Sequence, residues 1–133
     1  MEHNDGDVIR LTVPATSAAV RIARVGAAGL GTRLGFTFTE VEELRLAVGE
    51  AAAQLCDTST DVATGTNLMV SYDIEPNGLR VTLALCADGN GAAVIPAFSD
   101  LAATVLDTVV DEWQLDPDGG RVELRKSPMY YDD

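Results

Sequence analysis

Residues 44–55 read LRLAVGEAAAQL. Together with Val41 just upstream, Leu44, Val48, Ala51, Ala52 and Leu55 recur at helical spacing and form one broad apolar face. Thr39-Glu40-Val41-Glu42 matches a capping box, in which a threonine and a glutamate three residues on satisfy each other's backbone N–H groups. The pattern therefore predicts a helix from Thr39 to about Cys56, closed by a Thr-, Ser- and Asp-rich loop over 57–66. Glu50 and Gln54 stand four residues apart, on the same side of that helix.

On the N-terminal side, Val8 to Val13 alternates as a strand does, and Pro14 ends it. Thr16 or Ser17 then caps a helix reaching about Leu34, with Ala19, Ile22, Ala23, Gly26 and Leu30 as its expected buried stripe and Arg21 outside. On the C-terminal side, strands Leu68–Ile74 and Leu79–Ala87 flank Pro76-Asn77-Gly78, where Asn-Gly is a hairpin signal. In the second of them Val81, Leu83, Leu85 and Ala87 point one way. Asp88-Gly89-Asn90-Gly91 breaks the strand, and Ser99 caps a helix from Asp100 to about Trp113. Pro117-Asp118-Gly119-Gly120 turns into a last strand, Arg121 to Arg125. The order β-α-α-β-β-α-β predicts an α+β two-layer sandwich, with helices on one face of a mainly antiparallel sheet. One domain over 7–126 is expected, between a polar leader (1–6) and a tail (127–133).

The 133 residues are 47% hydrophobic but only 5% aromatic, so the core rests on Ala, Val and Leu at close backbone approach. A formal net charge of −12 argues against direct nucleic-acid binding, which needs clustered Lys and Arg; it serves solubility first and also suits a basic protein partner. His3 is the single histidine, and Cys56 and Cys86 have no CxxC companion, which argues against zinc. Two buried, reduced thiols are the expectation, with a disulfide left open. No apolar run approaches a membrane span and no signal-like segment opens the chain, so a cytoplasmic location is expected.

The stretch 44–55 is similar to the N-box helix of the bacterial anti-sigma factor and serine-protein kinase family, within the histidine-kinase-like ATPases (Bergerat fold). The likeness extends over nearly the whole chain. VPATSAAVRIARV (13–25) resembles the family's first strand and helix, and the hairpin resembles the pair of strands leading to its first glycine box. TVLDTVVDEW (104–113) with GGRVELRK (119–126) resembles its last helix and strand.

The family uses a glutamate as general base, an asparagine four residues later for Mg²⁺, an aspartate that reads adenine, and glycines that admit the phosphates. By this resemblance Glu50 is the catalytic glutamate, and Gln54 stands where the metal-binding asparagine would be. Gln54 is longer by a methylene, which suits a small octahedral ion badly. Strand parity puts Ala87 at the adenine-reading position, with Gly89 and Gly91 at the expected spacing and Asp88 beside them. A bulge would bring Asp88 back to that role. The second glycine box falls on Ser99, Asp100 and Ala102.

Arg24 matches an arginine the family uses on its partners, and Arg21 lies one turn before it. Taken alone, Glu50 and Arg24 are solvated helix residues. The resemblance implies an anti-sigma regulator that binds a sigma factor, an anti-sigma factor antagonist, or both, with weak or no ATP binding and no cofactor required. The alternative is an active serine kinase, with Glu50 as base and ATP and Mg²⁺ held by Gln54, Asp88, Gly89 and Gly91. A third reading is a homodimeric scaffold with another client, since members of the family commonly dimerise.

Overall fold

A computed structural model describes residues 7–57, 66–86, 95 and 97–129. Its elements are β1 (Asp7–Pro14), α1 (Ser17–Arg33), α2 (Phe38–Asp57), β2 (Asn67–Glu75), β3 (Gly78–Cys86), α3 (Asp100–Val109), β4 (Glu112–Asp116) and β5 (Arg121–Lys126). The strands form one antiparallel sheet in the order β1-β2-β3-β5-β4. The alternation of apolar residues builds its buried face: Leu68, Val70 and Tyr72, then Leu79, Val81, Leu83 and Leu85, then Val122 and Leu124. The helices cover that face, with α2 central through Leu44, Val48, Ala51, Ala52 and Leu55. The predicted two-layer α+β sandwich is the fold observed.

The opposite sheet face is polar and internally neutralised. Glu75 lies between Arg80 (2.8 Å) and Arg125 (3.0 Å), and Arg80 also meets Glu123 at 3.0 Å. Among the described residues no helix is long and apolar enough to cross a membrane.

Four details depart from the sequence expectation. The last helix stops at Val109 instead of Trp113, and Glu112–Asp116 adds a strand to the expected order. Val110 is already extended (φ −120°, ψ 161°), and Trp113 and Leu115 pair with Leu124 and Val122 across a hairpin closed by 117–120. The Trp113 indole N–H donates to Asp107 at 2.7 Å, and its ring stacks on Phe98. A tertiary strand pairing thus wins over helical periodicity at the end of α3.

The capping box of α2 sits two residues earlier than expected. Thr37 N–H donates to Glu40 Oε1 (2.8 Å) and Glu40 N–H donates to Thr37 Oγ1 (3.1 Å). Glu42 instead pairs with Arg45 on the surface. Glu40 is buried, and its second oxygen accepts the Met129 N–H, so the segment after β5 is fastened to the start of α2. Burial alone would push the Glu40 carboxyl up, but the Thr37 and Met129 N–H groups, the Thr37 hydroxyl and Lys126 hold it below its ordinary 4.5. Buried Lys126 is itself held by Val109 O (2.7 Å) and Glu43 (3.1 Å).

The buried stripe of α1 is Ala19, Ala23, Ala27 and Gly31, while Ile22 is 42% exposed. Small residues face inward because α1 approaches its neighbours closely. Tyr72 of β2 donates to Ala23 O at 2.8 Å, and a Cβ on Gly26 would stand 2.6 Å from that hydroxyl. Burial pushes the Tyr72 phenol up to about 12.

The β2–β3 hairpin forms as expected, but Glu75 pairs with Gly78 across Pro76-Asn77, so Gly78 opens β3. A Cβ there would lie 2.8 Å from the Lys126 carbonyl oxygen.

Candidate functional site

Two places along α2 gather the candidate residues. The first is an open groove of about 540 Å³ between α1 and α2, lined by Val20 and Arg24 of α1 and by Glu42, Arg45, Leu46, Gly49 and Glu50 of α2. Positions 42, 45, 46, 49 and 50 recur at three- and four-residue spacing, so they line the edge of α2 beside its apolar face. Arg45 Nη1 lies 3.1 Å from Glu42 Oε2, which neutralises both. Arg24 and Glu50, both half-buried, have no hydrogen bond or ion pair among the described residues. The groove therefore presents a cation and an anion with free hydrogen-bonding capacity, next to the apolar side chain of Leu46, which is 49% exposed.

The structure brings Arg24 and Glu50 into this one groove. Arg21 is exposed on α1 and is not part of its lining. Sequence reasoning missed Glu42, Arg45, Leu46 and Gly49. Their spacing around Glu50 was the available signal.

The second place is the junction of α2 and α3. Gln54, one turn beyond Glu50, accepts the Ser99 backbone N–H through Oε1 at 3.0 Å. Ser99 is the N-cap of α3 and its hydroxyl accepts the Ala102 N–H at 3.1 Å, with Asp100 in the first helical turn. These are the positions at which the sequence resemblance predicts the second glycine box. Here a serine cap, an aspartate and a side-chain amide from α2 already serve the helix N-terminus.

Ala87, Asp88, Gly89 and Gly91 lie outside the described residues. Cys56 and Cys86 are half-buried rather than buried and are not joined in a disulfide, and the Cys86 thiol donates to Met69 Sδ at 3.5 Å. Among the described residues, no group of three or more His, Cys, Asp or Glu side chains is arranged to hold a metal ion.

Comparison with known proteins extends the geometry. The chain is 34% identical over 81 residues to a serine-protein kinase RsbW of Halalkalibacterium halodurans, a match covering 61% of this chain and 49% of that protein. It is 28% identical over 81 residues to the serine-protein kinase RsbW of Bacillus subtilis, covering 61% of this chain and 51% of that one. The chain thus matches about half the length of these curated relatives. No family model matches. In structure, 92% of the chain superposes on a crystal structure of the RsbU and RsbW domains of Rv1364c from Mycobacterium tuberculosis. The TM-score is 0.64 and the identity 16%, over 32% of that longer chain, so this likeness speaks for the fold alone. With the sandwich, the N-box-like helix and these matches taken together, the chain is a homologue, at modest identity, of the RsbW serine-protein kinases, and it carries the histidine-kinase-like fold.

Proposed function

We propose that this protein is a cytoplasmic anti-sigma regulator that binds a sigma factor, an anti-sigma factor antagonist, or both, through the α1–α2 groove, with weak or no ATP binding. The observation that carries the second half of this reading is the Gln54–Ser99 hydrogen bond. The amide oxygen at the metal-ligand position is committed to the backbone of α3. A helix N-terminus attracts a phosphate when its N–H groups are free and no other anion stands there. At α3 the Ser99 cap takes one of those N–H groups and the Asp100 carboxylate would repel the phosphate. Magnesium demands near-ideal octahedral oxygen ligands, which Gln54 supplies only by breaking its bond to Ser99. The described residues therefore do not fit a Mg²⁺–nucleotide group. The groove is a separate part of α2, so partner binding survives that misfit.

A titration of the purified chain with ATP and Mg²⁺ by calorimetry tests the nucleotide half. No binding is expected at millimolar ligand. The partner half is tested by measuring binding to purified sigma factors and antagonist domains encoded in the same genome. Arg24→Ala is expected to weaken the cognate complex at least tenfold, about 1.4 kcal/mol.

A second reading, an active serine kinase, is favoured by one observation: Glu50 is unpaired in an open groove, as a general base must be. Mg²⁺-dependent ATP binding, with phosphate transfer to an antagonist serine lost in Glu50→Ala, would establish it over the first.

A further inference from the structure

We infer that Gly49 is a positioning residue that lays Arg24 across α2 and presents its guanidinium to an anionic side chain of a partner. This rests on the proposed groove and deepens it. A Cβ built at Gly49 would stand 2.8 Å from Arg24 Cδ, 3.1 Å from Cγ and 3.4 Å from Nε. The aliphatic stem of Arg24 therefore runs flat against the backbone of α2 at a place that only glycine leaves open. Nothing else at that position calls for glycine. It sits inside a helix, where glycine is less favourable than alanine, and it is not among the glycines at positive φ. Gly29 on α1 is different, since a Cβ there meets nothing within 4 Å.

What Gly49 secures is the direction of one charge. Arg45 is taken up by Glu42 one turn away, which leaves Arg24 as the unpaired cation of the groove, beside exposed Leu46. Lying flat, the arginine has fewer rotamers to lose when it meets a ligand. The matching partner feature is a carboxylate next to an apolar side chain, which contacts Arg24 and Leu46 together.

The test uses the full chain and nitrogen relaxation at the Arg24 Nε–Hε group, with Gly49→Ala as the variant and Gly29→Ala as the control. Wild type is expected to show an ordered Arg24 side chain and an Overhauser contact between Arg24 Hδ and Gly49 Hα. Gly49→Ala is expected to drop that order to the level of exposed Arg21 while the melting temperature holds or rises. Gly29→Ala is expected to leave Arg24 as it was. An Arg24 that stays ordered in Gly49→Ala, or that never contacts Gly49 in wild type, overturns the inference.

Failure of the underlying reading looks different. There, Arg24→Ala would bind sigma factors and antagonist domains as tightly as wild type, whatever the relaxation data show. With a cognate partner in hand, Gly49→Ala and Arg24→Ala are expected to weaken binding by similar factors, and the double variant no further.

Discussion

Replacing Glu40 with alanine removes an acceptor from two backbone donors at once. Oε1 takes the Thr37 N–H at 2.8 Å, and Oε2 takes the Met129 N–H. A hydrogen bond to a charged group contributes about 1.5–3 kcal/mol. Thr37 is exposed and its freed N–H can be rehydrated, so the lower end applies to each bond and the loss comes to about 3 kcal/mol. For a chain of this size that is a fall of about 12 °C in Tm. Glu40→Gln keeps one acceptor oxygen but turns an NH₂ toward the other donor, and should lose about 2 kcal/mol.

The pH dependence has a definite sign. The native carboxyl is held below 4.5, so its contribution is complete above that value and is lost as the pH falls through the lower native one. Urea melts of wild type and Glu40→Gln from pH 7 to pH 3 should therefore differ by a constant amount above about pH 5, and converge below it. Glu43, Lys126 and Asp111, whose carboxylate accepts the Ser127 N–H at 2.9 Å, are common to both proteins, so the difference isolates Glu40. A loss under 0.5 kcal/mol in Glu40→Ala, or a gap that widens on acidification, refutes the reasoning.

Gln54→Ala and Gln54→Asn should each lose the bond to Ser99, since asparagine falls short by a methylene. The loss is about 0.5–1 kcal/mol in urea melts because the contact is solvent-exposed, and stability equal to wild type in both would show that Gln54 does not join α2 to α3. Gly26→Ala should lose about 1–3 kcal/mol in spite of its better helix propensity, because the new methyl would meet the Tyr72 hydroxyl. Adding Tyr72→Phe should recover part of that loss, and strictly additive melts would show that the two residues do not meet.

Much of the fold was legible because local pattern and tertiary demand agree. The apolar face around Leu44, Val48 and Leu55 is the core face of α2, and the alternation through Val81, Leu83 and Leu85 is the buried face of β3. Where two local signals overlapped, tertiary contacts chose between them. Thr37-x-x-Glu40 and Thr39-x-x-Glu42 both match a capping box, and Met129 and Lys126, remote in sequence, select the first. At Trp113 a helical period and a strand alternation coexist, and pairing with β5 selects the strand. In α1 one position failed: Ile22 was expected inside, yet the positions buried against Tyr72 and α2 carry alanines and glycine.

The candidate site was half legible. Glu50 and Arg24 could be singled out by type and resemblance. Their meeting in one groove, and the capture of Gln54 by Ser99, depend on how three helices are arranged, which no local window contains.

The three stations along α2 bear on the proposal that this chain keeps the scaffold with weak or no nucleotide binding. Its first turn is fastened by Glu40, its middle faces the groove at Gly49 and Glu50, and its last turns reach α3 through Gln54. A metal site at the last station would hold α2 and α3 together through a shared ligand. A direct hydrogen bond joins them with no ligand, above a core that includes the fully buried Leu55 and Leu106. The groove lies a full turn away and shares no side-chain hydrogen bond with that junction among the described residues. Effects at the two places should therefore add: Arg24→Ala acting on partner affinity, Gln54→Ala acting on stability, and the double variant showing both losses undiminished. Coupling between them above about 0.5 kcal/mol would mean that the groove reads the state of the α2–α3 junction, which is what a nucleotide-responsive regulator requires and a nucleotide-free one does not.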